Sequence, residues 1–534
     1  MNVCYMNCKI LEGMIFFTVY FYRNPENIKF ADCAYSMVST TNNRALKGSS
    51  ITRIEDLSTP EYGSSQKAVD EITQKLGKGK VSFVRKDLDD HSDAYFSSDH
   101  ASDDQRPKAV FYPETTEEVS FILKTTHNYH VPVVPVTGRT SLEGNFIPTR
   151  QGICVDIARM NKILAVHEKD LDVTVEAGVG WQDLDKYLKD YNLLFGPDPG
   201  PGARIGGMVA TSCSGPSAAR WGTMKENVIG LTAVLADGTI IKTKKRPRKS
   251  SAGYNLNGLF IGSEGTLAVI TEATLKLNVR PKVTNVALVS FSKISDAGKA
   301  VAGFVQEGLQ LDAMELLDDT MMHYVNLSGK TSLKYEELPT LMLKFGGPSK
   351  EIIDYQVKAA QRICQNNNNQ KYLFAQSQQE EQEIWGVRKV ALLATIDYGR
   401  KHIDKDIQVW ATDVAVPISR LYQSLQETKD ELQRLGIAGS IVGHVGDGNY
   451  HAMILFKKEE HAKVAVVVEH MMERALLAEG TITGEHGVGW GKKHYLQEEV
   501  SDETLALMRR IKIALDPYGL LNPDKVFDMD PAYF

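Results

Sequence analysis

The sequence predicts an α+β protein of two or more domains, and three observations carry that expectation. The chain has 534 residues, enough for several sizeable cores. Its first half holds three glycine-rich segments that match neither a Walker A loop nor a strict GxGxxG, so no Rossmann crossover is expected. After Arg280-Pro281 the alternation of strand-like and helix-like runs starts afresh, which marks a boundary. Apolar, charged and aromatic contents of 43%, 24% and 8% are those of a globular chain. Lys plus Arg number 61 against 67 Asp plus Glu, a formal charge of −6, and this mild acidity argues against a nucleic-acid binder. Six cysteines are scattered without a CxxC pair, so neither a disulfide framework nor a zinc ribbon is indicated.

The elements follow in chain order. Residues 1–60 lack sustained periodicity and read as a leader. Met14–Tyr22 is apolar but far too short to span a bilayer. Residues 23–60 are polar and rich in Ser and Thr, as in an organelle transit segment. They also carry Glu26, Asp32, Glu55 and Asp56, and matrix-targeting segments are poor in acids, so a disordered leader is expected as readily as a targeting one. Residues 61–105 form an N-terminal segment with a polar helix over Ser64–Leu76, and the core is expected to begin near Arg106.

The first domain is assigned to residues 106–282. Thr115 and Glu118 fit a capping box, followed by the buried stripe Val119, Ile122 and Leu123. Val131–Val136 is extended, and its prolines suit an edge strand. Further strands are expected at Ile153–Ile157 and Val173–Ala177, and at Ile229–Ala236 and Thr239–Thr243 around an Asp237-Gly238 turn. Trp181, Leu184, Tyr187, Leu188 and Tyr191 mark an amphipathic helix. The basic run Lys242–Lys249 reads as a solvated hairpin end.

A second α+β domain is assigned to residues 283–500. Strands are expected at Val286–Phe291 and Leu341–Phe345, and helices at 350–364, 379–396, 418–435 and 459–479. Asn366–Asn369 reads as a loop. Residues 501–534 carry a helix and then a turn-rich tail.

Two kinds of segment carry chemistry. Pro135–Gly144 follows a strand, and N–H groups freed in such a turn can cradle a pyrophosphate, with the hydroxyls of Thr140 and Ser141 as further donors. The small residues from Gly202 through Gly206, Gly207 and Ser212 to Gly215 let backbone approach a flat ligand, and Gly262–Thr266 is a third such segment. One alone is most often a turn; three in one domain suggest a large dinucleotide. The other kind is His444 to His451 around Val-Gly-Asp-Gly-Asn-Tyr, with Glu485 and His486 between Gly484 and Gly487. Imidazoles and a carboxylate suit a borderline divalent cation and also supply a general base. Seven residues apart, the two histidines would face opposite sides of a straight strand, so Gly443, Gly446 and Gly448 must allow a turn. The alternative is a set of hydrogen-bonded histidines at a glycine turn.

The ordered motifs PVTGRTSLEGN, PDPGPGARIGGM, SCSG, DGTIIKT, RPRKSSAGYNL, IGSEGTLAVITEATLKL, HVGDGNYH, GEHGVG and DPYGLLNPDKVF, from about Tyr112 to Phe527, resemble one family. It is the cytochrome-linked, FAD-dependent D-lactate dehydrogenases of the vanillyl-alcohol oxidase and p-cresol methylhydroxylase (PCMH) flavoprotein superfamily. The resemblance implies a PCMH-type FAD-binding domain of two subdomains, an α+β cap or substrate domain with an antiparallel sheet, and a tail that returns to the flavin. It implies that Gly138, Thr140, Ser141 and Gly144 hold the pyrophosphate. Gly202, Gly206, Gly207, Ser212 and Gly215 would line the flavin with Gly262, Glu264, Gly265 and Thr266, and Asn522 would approach from the tail. The first loop has no histidine, so FAD is expected to be non-covalent.

The same resemblance implies His444, His451 and Glu485 as ligands of a divalent metal, Zn or Mn, His486 as the base, and Arg388 as the clamp on a substrate carboxylate. A surface ion pair with Glu380, Glu381 or Glu383 is the plain alternative for Arg388. The implied reaction oxidises D-lactate to pyruvate, with electrons passed to cytochrome c or another one-electron acceptor, in mitochondria; peripheral membrane association and oligomeric state are left open. Oxidation of D-2-hydroxyglutarate or glycolate is the nearest alternative, and Leu392, Ala411 and Met453, with Trp410 nearby, favour a small monocarboxylate. A metal-dependent hydrolase and a non-catalytic relic of a flavin site are the alternatives of other classes. Three positions depart from the family: Arg139 stands where Gly is usual, and Pro216 and Trp221 stand where Thr and Tyr are usual. A left-handed backbone at Arg139 would cost roughly 1–2 kcal/mol, which the cation could offset by pairing with the pyrophosphate; the three departures together lead to an expectation of reduced flavin occupancy.

Overall fold

A computed structural model of the chain describes residues 7–11, 14–18, 54, 57–94, 97 and 99–531. It divides into two units, residues 1–50 and 51–534. In the first, Asn7–Leu11 pairs antiparallel with Met14–Thr18. The remainder of the expected leader up to residue 53, with its targeting or disordered character, lies outside the described residues. Among the described residues no helix is long and apolar enough to cross a membrane.

The second unit starts its core earlier than expected. Helix Ser65–Leu76 buries Ala68, Val69 and Ile72 against the same core as Val119, Ile122 and Leu123, ahead of Arg106. A short stripe at i, i+1 and i+4 is enough to dock a mostly polar helix. Helix Thr116–Asn128 is capped by Thr115, whose hydroxyl accepts from Glu118 N at 3.2 Å. The other half of the expected box is absent, because the Glu118 carboxylate reaches Glu114 N and Lys80 instead.

Two sheets build the first domain. A four-stranded sheet runs Val81–Ser82, Val110–Phe111, Ile153–Asp156, Val133–Val136, with its last three strands parallel. The tail lies along the proline-containing strand, where Val133 N donates to Leu520 O and Asn522 N to Val133 O, both at 2.8 Å. A six-stranded antiparallel sheet centres on Val228–Val234, Val269–Val279 and Asp172–Glu176. Apolar residues of both sheets share one core, and each fully buried Leu or Ile in it contributes about 1.5–3 kcal/mol.

The second domain is an eight-stranded antiparallel sheet in the order Asn369–Phe374, Val283–Phe291, Thr340–Gly347, Ala313–Leu317, Gly439–His444, Asn449–Phe456, Gln408–Ala411, with Val414–Ala415 beside the sixth. Alternate residues face two cores. One face packs on helices Ile294–Gln306, Lys350–Asn366, Ile418–Leu435 and His461–Leu477. The other packs on Asp319–Ser328, Gln378–Lys389 and Ala391–His402. The single helix expected over 379–396 is therefore two, broken at Val390, where an N–H to Val387 O bond tightens the last turn. The polar tract is shorter than expected: the helix runs to Asn366 and the strand starts at Asn369, leaving Asn367 and a left-handed Asn368 (φ 59) as the turn.

Candidate active site

Three neighbouring strands place the candidate ligands on one face. Glu315 stands directly opposite His444, and Val442 opposite His451. Side chains alternate along a strand, so Glu315, His444 and His451 all point to the face that also buries Val442 and Met453. The hairpin between His444 and His451 turns through Val445–Asp447 and Gly448. Gly448 has φ 86, and a Cβ there would lie 2.1 Å from Val416 O. That turn absorbs the odd spacing.

The imidazole Nε2 atoms converge on one carboxylate. His444 Nε2 is 3.1 Å and His451 Nε2 3.5 Å from Glu485 Oε1. Their Nδ1 atoms are engaged behind them, at 2.7 Å from Glu315 Oε1 and 2.9 Å from Thr412 O. A bond of this kind fixes the ring and turns Nε2 to the centre. Glu485 Oε2 is buried with no hydrogen-bond partner among the described residues. The pocket thus offers two imidazole nitrogens and an unsatisfied carboxylate oxygen, a donor set that fits a divalent cation. Burial opposes charge at Glu485, but His444 and His451 hold its pKa well below the usual carboxylate range. Burial likewise opposes the charged His444, yet Glu315 and Glu485 hold its pKa well above that of free imidazole. Burial lowers that of His451.

Asp413, His451 and His486 also cluster. Asp413 is a scaffold rather than a donor there: its Oδ2 accepts from Thr483 Oγ1, Glu485 N and His486 N, each at 2.9 Å, and its Oδ1 from Asn449 Nδ2 at 2.7 Å. This bends the 483–487 segment so that both Glu485 and His486 enter the pocket. His486 lies parallel to His451, 5.0 Å between ring centroids, with Nδ1 3.3 Å from Glu143 Oε1. Burial lowers the pKa of His486, but the charge of Asp413 and the bond to Glu143 raise it overall.

Arg388 sits in the last turn of Gln378–Lys389 and donates through Nε to Glu315 Oε2, with Nη2 3.5 Å from His444 Nε2. The surface pairing with upstream glutamates is excluded: Glu380 caps the helix start, Glu381 accepts from Thr284 and Glu383 from Ser332. Ala411 and Met453 are cross-strand partners on the site face. Trp410 is not near the site, because alternation turns it to the opposite face against Phe456 and His461.

The three glycine-rich segments meet edge to edge. A Cβ on Gly138 would lie 2.9 Å from Gly202 O, and one on Gly207 2.9 Å from Thr137 Oγ1. Gly262 N donates to Val209 O and Glu264 N to Ala210 O. The N–H groups of Gly138, Arg139, Thr140 and Ser141 donate to no described residue, and neither do the hydroxyls of Thr140 and Ser141. Such a row of free donors fits a pyrophosphate. Four non-glycine residues here are left-handed: Arg139 (φ 55), Ser212 (52), Glu264 (51) and Asn522 (41). Strain concentrated in this way is typical of ligand clamps. Arg139 is exposed, and among the described residues its side chain hydrogen-bonds only to Asp90 O, at 3.4 Å.

One carboxylate joins this domain to the ligand cluster. Glu264 Oε1 accepts from Val488 N at 2.6 Å, and Oε2 from Gly489 N at 2.8 Å and Asn145 Nδ2 at 2.6 Å. Asn522 Nδ2 then donates to Asn145 O and Glu264 O at 2.8 and 2.7 Å, which ties in the tail. The sequence reading missed Glu143, Glu315, Asp413 and Lys492, the residues that orient the others. Glu315 carried a signal, a carboxylate inside the apolar strand Ala313–Leu317.

Two family models cover most of this architecture: the FAD binding domain over residues 107–244 and the C-terminal domain of FAD linked oxidases over 280–526. The chain is 52% identical to the mitochondrial D-lactate dehydrogenase (cytochrome) of Kluyveromyces lactis, over 90% of this chain and 85% of that protein. It is 49% identical to mitochondrial D-lactate dehydrogenase (cytochrome) 1 of Saccharomyces cerevisiae, over 90% and 84%. Among solved structures it shares the fold of p-cresol methylhydroxylase with substrate bound (TM-score 0.68, 15% identity, 87% of this chain and 97% of that one).

Proposed function

Since the chain belongs to the FAD-linked, cytochrome-type D-lactate dehydrogenases, we propose that it oxidises D-lactate to pyruvate in mitochondria, with His486, Arg388 and the His444–His451–Glu485 cluster on the substrate side. FAD, held without a covalent bond, supplies the hydride acceptor and the route of electrons to cytochrome c or a similar acceptor. A divalent cation, Zn or Mn, held by His444 Nε2, His451 Nε2 and Glu485, would polarise the alcohol oxygen and lower its pKa.

The chain's own residues do the rest. The fork of Arg388, steadied by Glu315, binds the substrate carboxylate. With its Nδ1 at Glu143, His486 takes the hydroxyl proton at Nε2. Ala411 and Met453, buried cross-strand partners on the same sheet face as His451, offer apolar surface that would strand a second carboxylate at a cost of several kcal/mol. The observation that carries this reading is the grip of Glu264 on Val488 and Gly489, which fastens the His486 segment to the flavin-binding domain.

Steady-state rates on D-lactate, glycolate and D-2-hydroxyglutarate test the substrate. We expect kcat/KM highest for D-lactate and at least about tenfold lower for the dicarboxylate, a difference of about 1.4 kcal/mol. Preference for D-2-hydroxyglutarate would overturn the proposal.

A further inference from the structure

Glu143 lies inside the first glycine loop, next to Gly144, and the reaction described above gives it only a passing contact. It is 1% exposed, in a loop whose neighbouring Thr140 is exposed and Ser141 half-buried. Its Oε1 is 3.3 Å from His486 Nδ1 and 3.0 Å from Lys492 Nζ. Its backbone is locked to the segment that follows His486: Glu143 O accepts from Trp490 N at 2.9 Å and Gly491 N at 3.2 Å. The approach is so close that a Cβ on Gly489 would lie 2.0 Å from Glu143 O. A second bond, from Glu143 N to Asn145 Oδ1 at 3.1 Å, fixes the loop from its other side.

His486 is therefore held from two directions. Asp413 grips its backbone N–H, and Glu143 meets its ring. Lys492, 3% exposed, links the two carboxylates, with Nζ 3.0 Å from Glu143 Oε1 and 3.9 Å from Asp413 Oδ2. A carboxylate that accepts from Nδ1–H selects the tautomer whose Nε2 carries a bare lone pair. Of the two carboxylates only Glu143 lies within hydrogen-bonding distance of the ring, whereas Asp413 acts on it through charge alone; Glu143 comes from the FAD binding domain.

We propose that Glu143 is a positioning residue for the base: from the first cofactor loop it holds His486 Nδ1–H, so that Nε2 stays bare and ready to take the substrate proton. The loop that cradles the pyrophosphate thus also sets the proton acceptor. This rests on the reading of His486 as the base, and the test separates the two.

The test compares FAD-loaded parent, Glu143→Gln, Glu143→Ala and His486→Ala. It measures kcat per bound flavin, KM for D-lactate and the visible flavin spectrum. We expect kcat per flavin to fall about tenfold in Glu143→Gln and about 100-fold in Glu143→Ala, with KM within about threefold and the spectrum unchanged. A residue that only supported the fold would change flavin content and leave kcat per flavin unaltered. That result, or kcat per flavin within about twofold of the parent in both Glu143 variants while His486→Ala is inactive, overturns the inference alone. Parental turnover in His486→Ala overturns the reading of the base as well. Glu143→Gln keeps the side-chain shape, and it decides the matter if Glu143→Ala yields no folded protein.

Discussion

The loops around Gly138, Gly202 and Gly262 approach one another through backbone, whereas the face around His444, His451 and Glu485 gathers charged side chains. The first region relies on conformation: close approaches that exclude a Cβ, free N–H groups, and residues held left-handed. The second relies on rigid strands and on orienting partners behind each functional group. Substitutions in the first region, apart from Glu143, should therefore change cofactor affinity and leave the chemistry per flavin alone. Substitutions in the second should do the reverse.

The largest expected effect tests the second half of that contrast. His486→Ala should lower kcat for D-lactate-dependent dye reduction by about 10²- to 10⁴-fold with flavin content unchanged. Near-normal turnover would remove the base from the account. Next, dialysis against a chelator, or Glu485→Gln, should cost on the order of 100-fold in turnover. Readdition of Zn or Mn should restore the dialysed parent but not the variant. Full activity in metal-free protein would contradict the cation reading.

Glu264→Ala acts at the junction and should blur the contrast. It leaves Val488 N, Gly489 N and Asn145 Nδ2 without their acceptor and should lower unfolding stability by about 3 kcal/mol, measured by urea denaturation. Flavin retention and turnover should fall together. The smallest effect belongs to the first region. Arg139→Gly relieves a left-handed side chain and should tighten FAD binding by about 1–2 kcal/mol, measured by titration of the apoprotein. Weaker binding in that variant would show that the arginine contributes more to the cofactor than its strain costs.

The same contrast explains what the sequence disclosed. Backbone-built segments leave glycine spacings in the chain, so the three glycine-rich segments were legible, and the resemblance to a family with Gly in place of Arg139 pointed to its left-handed backbone. The histidines and Glu485 were legible because their residue types and flanking glycines are unusual together. Their orienting partners were not, since Glu143, Asp413 and Lys492 lie far apart in the chain and read as ordinary surface charges until tertiary packing buries them. The break at Val390 was also hidden, because the apolar pattern continues across it. The orientation of Trp410 depended on strand register, which alternation fixes only once the pairing is known. Most strands and helices matched their expected positions to within a few residues, since periodic burial sets them locally.

The central claim is that a D-2-hydroxy acid, D-lactate, delivers its C2 hydrogen at the junction of these two regions. The most direct measurement is anaerobic mixing of the FAD-loaded protein with D-lactate and, separately, L-lactate, following the visible flavin band. The account predicts that D-lactate bleaches the flavin within a turnover and that L-lactate leaves it oxidised. A flavin that D-lactate does not reduce, or that both enantiomers reduce equally fast, would contradict it.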